Sequence, residues 1–227
     1  MTRVQLPIED IWLLWQQRPH TPRRAVGVLD RKSDGTVEFA YVIGEDLDAA
    51  MSEGFSGYPG FPVSDGPFSR NVMASFATRL PDRDRPDFQA LLRYWDAEVE
   101  ASDVFGILAA TGGTLPTDNF EFVPRLRPER GVQFLTGVAG FVHADDGDLL
   151  KGATEGDCVG LVRNPSTPTD RFGVEVTFNA HHVGWIKRVH SENVCRALEA
   201  GLDVVAQIRN LMLNGVLRSV RLTIRYN

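Results

Sequence analysis

Gly160-Leu-Val-Arg-Asn-Pro165-Ser-Thr-Pro168-Thr-Asp170-Arg-Phe-Gly-Val-Glu-Val176 and, a few residues on, Val183-Gly-Trp-Ile-Lys-Arg188 are the stretches on which the reading of this 227-residue chain turns. Two prolines within four residues fix two φ angles, and Asn164, Ser166 and Thr167 can hydrogen-bond the local backbone. Such a turn holds Asp170 in a defined place. An ionised carboxylate only accepts hydrogen bonds, so it suits a sugar hydroxyl and repels a phosphate. In the second stretch, strand alternation puts Val183, Trp185 and Lys187 on one face and Ile186 on the other. With Ile186 buried, Trp185 and Lys187 point outward together. An outward indole is a platform for a base, worth ~1–3 kcal/mol per stacked base, and a neighbouring lysine neutralises the adjoining phosphate. Gly184 omits a side chain where a ligand or a backbone must come close. Arg163 and Arg171, at the two ends of the turn, can grip further phosphate oxygens, and Arg188 adds another cation. On chemistry alone, the same residues also fit a self-capped turn and a core tryptophan.

Around this segment the second half reads as strands. Val132 to Val142, Cys158 to Arg163, Phe172 to Phe178 and Val183 to Lys187 are four candidates. Ser191 is a candidate cap for a helix that buries Val194, Ala197 and Leu198 and stops at Gly201. Val204 to Ile208 and Val216 to Tyr226 complete the strands, with Asn214-Gly215 as a hairpin turn. Five or six short strands with one helix predict a small barrel or a curled sheet.

The first half mixes strands and helices. Ile11–Trp15, Ala25–Leu29 and Val37–Ile43 are strand candidates, the last two joined by the turn dipeptide Asp34-Gly35. A Gly/Pro-rich loop from Gly54 to Pro67 carries Phe55, Tyr58 and Phe61, with Phe68 just beyond; such aromatics plug a core. Phe68, Val72, Phe76 and Leu80 make one helical stripe, and Phe88, Leu91, Leu92 and Trp95 another, with Pro86 in its first turn. Ser102 is placed to cap a third helix to Ala110, ended by Gly112-Gly113. Phe120–Val123 returns as a strand. Pro124-Arg-Leu-Arg-Pro-Glu-Arg130, charged and without apolar period, marks the domain boundary. The expected class is α+β: an α+β domain over residues 1–125, then a small OB-like or SH3-like β-barrel with one helix over 131–227.

Composition narrows the function. Hydrophobic residues make up 43 %, ample for packed cores, and the net charge is −6. Residues 131–227 balance ten Lys/Arg with ten Asp/Glu, while residues 1–130 hold fourteen against twenty. Neither half is the cationic face that strong non-specific duplex binding needs; recognition of a few nucleotides needs only a few placed cations. No apolar run reaches membrane-span length and the N-terminus lacks a signal-peptide core, so a cytoplasmic location is expected. Cys158 and Cys195 read as two buried thiols, with a disulfide left open.

His181, His182 and His190 do not form a tetrahedral metal set. Gly112-Gly113-Thr114 lacks a phosphate-loop lysine. Asp145-Asp146-Gly147-Asp148 is shorter than a calcium loop and fits a hairpin tip. No serine or cysteine sits in a nucleophile motif. The expectation is a non-enzyme with no cofactor and no metal.

Residues 131–227 resemble a HIRAN domain. The likeness is carried by Leu161-x-Arg163-x-Pro165-x-x-Pro168-x-Asp170, Val174-x-Val176, Gly184-x-Ile186-Lys187 and Ala197-Leu-x-x-Gly201. HIRAN domains are OB-like modules found alone in bacteria or attached to helicases. The resemblance implies binding of single-stranded DNA at a 3′-hydroxyl end, with Asp170 receiving the hydroxyl and Trp185 in a position often aromatic or His. The aromatic that precedes the aspartate in those domains is Thr169 here. Their Arg-aromatic-aromatic run after a glycine is replaced by Val142-His143-Ala144 following Gly140-Phe141, which leaves Phe141 and His143 as the candidates there.

Residues 1–125 are similar to the N-terminal domain of HipA-type toxin kinases. The matching features are Val26-Gly27, Phe39-x-Tyr41, the Phe68-to-Leu80 stripe with Pro81 and Arg85, and Leu108-Ala-Ala-x-Gly112-Gly113 leading to Phe120-x-Phe122-x-Pro124. No later segment offers the kinase core's aspartates, so the resemblance implies a regulatory or interaction domain. Two functions are therefore expected. One is a DNA-end-binding protein. The other is an interaction subunit, antitoxin-like or accessory to a HipA-like kinase, a helicase, a nuclease, or a DNA-repair or phage-defence system.

Overall fold

A computed structural model describes residues 7–18, 21–95, 102–140, 150, 152–164, 172–213 and 217–227. The chain divides into two compact units, with the break after Leu126.

The first unit is a four-stranded antiparallel sheet, β1 (Ile8–Trp15), β2 (Arg24–Arg31), β3 (Val37–Tyr41) and β4 (Phe120–Leu126), in the order β3-β2-β1-β4. The Asp34-Gly35 turn works as read: Gly35 has φ +86° and Asp34 Oδ1 accepts from the Thr36 N–H at 2.9 Å. Pro124 lies inside β4 opposite Ile11, so the strand runs past Val123 to Leu126. Between β3 and β4 come α1 (Glu45–Ser52), α2 (Val72–Ala77), α3 (Phe88–Tyr94) and α4 (Val104–Thr111).

Loop aromatics do plug this core. Phe55, Tyr58 and Phe61 are buried, and the Phe39 ring centroid lies 5.0–6.1 Å from those of Tyr41, Phe61, Phe68 and Phe76. The Tyr41 hydroxyl ties the loop down by donating to the Phe61 carbonyl and accepting from the Tyr58 N–H at 2.8 Å. Arg79 is buried among Tyr58, Phe120 and Phe122. Its guanidinium donates to the Gly113 carbonyl at 2.7 Å and to both oxygens of Asp118 at 2.6 and 2.7 Å.

Three helix readings need correcting. Asp87 holds the N-cap position of α3, so Pro86 precedes the helix rather than lying in its first turn. The Phe68–Leu80 stripe is helical only over 72–77, because Asn71 adopts φ +57° and Phe68 forms a β-bridge with Phe39. The cap of α4 is Asp103, whose carboxylate accepts from the Gly106 N–H at 3.0 Å, rather than Ser102. No helix among the described residues is long and apolar enough to cross a membrane.

The second unit is a closed six-stranded barrel: β5 (Gln133–Ala139), β6 (Cys158–Arg163), β7 (Val174–Phe178), β8 (His181–Ile186), β9 (Val204–Leu213) and β10 (Leu217–Tyr226), ordered β10-β5-β8-β7-β6-β9. Val138, Val174, Val176, Ile186, Ala206, Ile208, Leu222 and Ile224 fill its interior. The one helix among the described residues of this unit, α5 (Arg188–Glu199), lies against β7, β8 and β9 and buries Val194, Cys195 and Ala197. It begins three residues before Ser191, which is interior and donates its hydroxyl to the Arg188 carbonyl at 2.9 Å. The α+β class and the barrel with one helix stand as read. Asn214-Gly215 lies outside the described residues. Both cysteines are free thiols, and Cys158 is exposed rather than buried.

Candidate nucleic-acid interface

β7 and β8 form a hairpin joined by Asn179 and Ala180, both at positive φ (+49° and +67°), the conformation of a two-residue turn matched to strand twist. Thr177 pairs with His182 but Val176 pairs with Gly184. Val183 is therefore an extra residue, a β-bulge that re-aims the side chains after it. The consequence departs from simple alternation: Val183 is buried, as is Ile186, while Trp185 is half-buried and Lys187 exposed. Gly184 sits at φ +148°, and a Cβ there would lie 2.6 Å from the Ala139 carbonyl oxygen and from Val138 Cγ1. Its bare backbone accommodates strand β5.

Trp185 lies between Ala139 on β5 and Glu175 on β7. Its ring meets the edge of His182 at 5.3 Å between centroids and 63° between planes. A Cβ on Gly140 would come within 3.2 Å of Trp185 Cδ1, so the indole closely overlies the end of β5. Glu175 accepts a hydrogen bond from the Asn164 side-chain amide and lies 3.8 Å from His182 Nδ1. The indole thus lies against His182 and the end of β5, with part of its surface accessible.

Lys187 is the next residue but one. Its N–H donates to the Gly137 carbonyl at 3.1 Å. Its aliphatic stem runs over Gly137, where a Cβ would lie 2.6 Å from Lys187 Cε and 3.3 Å from Nζ. Arg188, exposed, opens α5. Arg163 is engaged elsewhere. It pairs with buried Val174, so it belongs to the opposite side of the sheet from Glu175 and Trp185. Its Nε–H donates to Cys195 Sγ at 3.1 Å and its Nη2 contacts Glu199 at 2.7 Å. Burial pushes the Cys195 thiol above its ordinary pKa, with the Arg163 hydrogen bond partly offsetting this.

Of the sequence candidates, Trp185 and Lys187 are brought together, Arg188 adjoins them, and Arg163 is tied to α5. Phe141, His143, Asp170 and Arg171 lie outside the described residues. The described chain stops at Gly140, against Trp185, and at Asn164, bonded to Glu175. One residue that sequence reading missed is Arg221 on β10, paired with Gly137 across from Lys187. Its place in an alternating strand was readable; its partner strand was not.

No protein-family model matches the chain, and no curated protein matches it. The chain is similar to two solved structures. One is the HIRAN domain of human HLTF, at 15 % identity and a TM-score of 0.34, covering 41 % of this chain and 74 % of that one. The other is a protein from Lactobacillus plantarum, at 19 % identity and a TM-score of 0.36, covering 41 % of this chain and 92 % of that one.

Proposed function

We propose that the barrel unit binds single-stranded nucleic acid, without catalysis, and favours a DNA end with a free 3′-hydroxyl. The observation that carries this reading is the indole of Trp185, fixed on the outside of a closed barrel with the exposed Lys187 next to it. A fixed aromatic surface beside a cation is the unit from which stacking sites for single strands are built. Glu175, on the β7 side of Trp185, repels phosphate, so the backbone of a stacked nucleotide runs on the β5 side, toward Lys187 and Arg188. Arg163 remains a secondary contact. Its ion pair with Glu199 is solvent-exposed, and such pairs are worth only ~0–1 kcal/mol, little enough for a phosphate to replace. Asp170, with Arg171 after it, is assigned to the terminal hydroxyl, and Phe141 and His143 to the second wall, on the chemistry of those side chains.

The test is binding of a labelled single-stranded DNA carrying either a 3′-hydroxyl or a 3′-phosphate. The hydroxyl end should bind more tightly, and Asp170→Asn should remove the difference. Trp185→Ala should weaken both by roughly 5- to 150-fold, the equivalent of one lost stack at ~1–3 kcal/mol. Equal affinity for both ends with wild-type protein would sink the end-specific part.

The acid surplus of residues 1–130 favours a second role for that region, contact with a protein partner such as a kinase, helicase or nuclease. Co-purification from the native host tests it, and elution of the chain alone under mild conditions counts against it.

A further inference from the structure

Three neighbouring strands of the barrel bring Arg221, Gly137 and Lys187 into one row. Arg221 on β10 pairs with Gly137 on β5, and the Lys187 N–H at the end of β8 donates to the Gly137 carbonyl at 3.1 Å. Adjacent strands are about 4.8 Å apart, so the backbones of Lys187 and Arg221 flank that of the glycine on its two sides. The three share the outward face: Val220 and Leu222 on either side of Arg221, and Thr136 and Val138 on either side of Gly137, are buried. The next row along is Ala139 beside Trp185. The outward face of β5 between indole and cations is therefore made of Gly137 and Ala139, the smallest side chains available.

Gly137 decides where the lysine goes. Because it has no Cβ, the Lys187 stem lies close over the strand, with Cε and Nζ within 3.3 Å of where a Gly137 Cβ would stand. A methyl group there would overlap Lys187 Cε at 2.6 Å, and the flexible side chain, not the sheet, would give way. We propose that Lys187, Gly137 and Arg221 form a phosphate cradle on the barrel, which holds the backbone of a single-stranded polynucleotide one step away from the base stacked on Trp185. This rests on the single-strand reading above and adds to it a track across β8, β5 and β10, with Gly137 as the residue that positions the lysine.

The test uses the full chain and a fluorescein-labelled oligothymidylate, titrated at several salt concentrations. Gly137→Ala should keep the fold, weaken binding by about 3- to 10-fold, and have no further effect in a Lys187→Ala background, because it acts only through that side chain. Arg221→Ala should reduce the slope of log affinity against log salt by about 0.7, the release expected for one phosphate contact on a single strand. Wild-type affinity in Gly137→Ala, an equal loss in the Lys187→Ala background, or an unchanged salt slope in Arg221→Ala would each overturn the cradle while leaving the Trp185 site standing. Should Gly137→Ala fail to fold, the Arg221→Ala slope decides alone. A wild-type chain that ignores the oligonucleotide, or releases it equally to polyglutamate, sinks the single-strand reading and the cradle with it.

Discussion

Gly184→Ala tests the bulge on which the presentation of Trp185 depends. At φ +148° an alanine is strained by ~1–3 kcal/mol. Its Cβ would also stand 2.6 Å from the Ala139 carbonyl oxygen, a backbone atom in a closed barrel that cannot swing aside. Overpacking of this kind costs ~1–3 kcal/mol. Together the loss should be about 3 kcal/mol or more, concentrated where β5 and β8 pair. Gly201→Ala separates the two contributions, since Gly201 also has positive φ (+74°) but nothing within 4 Å of a Cβ; it should lose only about 1 kcal/mol. Hydrogen exchange read by mass spectrometry is the assay. Amides of 133–139 and 181–186 should lose protection by about 10²-fold in Gly184→Ala, at 1.4 kcal/mol per factor of ten, while those of 8–15 and 24–31 stay as in wild type. Wild-type protection across β5 and β8 would refute the close approach of these strands at Gly184.

Other expectations concern stability and reactivity. Arg79→Met leaves the Asp118 carboxylate without its bidentate partner in a largely buried site. It should destabilise the first unit by about 3 kcal/mol in urea unfolding, the low end for breaking a buried pair because Asp118 keeps some solvent. Burial pushes the Asp118 carboxyl up, but the Arg79 hydrogen bonds, the Phe120 N–H and the Arg79 charge together hold it below the ordinary range. A lowered folded-state pKa gives stability that is present above the unfolded value of about 3.9 and lost as pH falls through the folded one. Wild-type protein should therefore lose more stability than Arg79→Met on acidification below about pH 4, as measured by urea midpoints. A thiol reagent should titrate exposed Cys158 quickly in the native chain and buried Cys195 only on unfolding; two equally fast thiols would contradict the packing of α5.

The barrel was legible because runs such as Val174–Phe178 and Val204–Ile208 are apolar or alternating and preceded by Gly or Asp, and the α5 stop at Gly201 has a conformational cause. The features that escaped reading depended on distant chain or on one inserted residue. The eight-residue α1 has no side-chain cap and buries only Leu47 and Ala50, too little for a periodic signal. Phe68 looked helical by spacing, yet its backbone bridges Phe39. The bulge at Val183 broke the alternation that put Val183 beside Trp185, although the outward placement of Lys187 survived. The Arg221–Gly137–Lys187 row joins three strands far apart in sequence, and only closure of the barrel creates it. Nothing local in the sequence announces Glu199 and Cys195 as partners of Arg163.

The most direct measurement is photocross-linking of the full chain to a single-stranded oligonucleotide substituted with iodouracil, with the attachment point mapped by mass spectrometry. The stacking role of Trp185 predicts cross-links on the peptide that contains it, lost in Trp185→Ala. Cross-links confined to residues 7–126, or none at all, would contradict it.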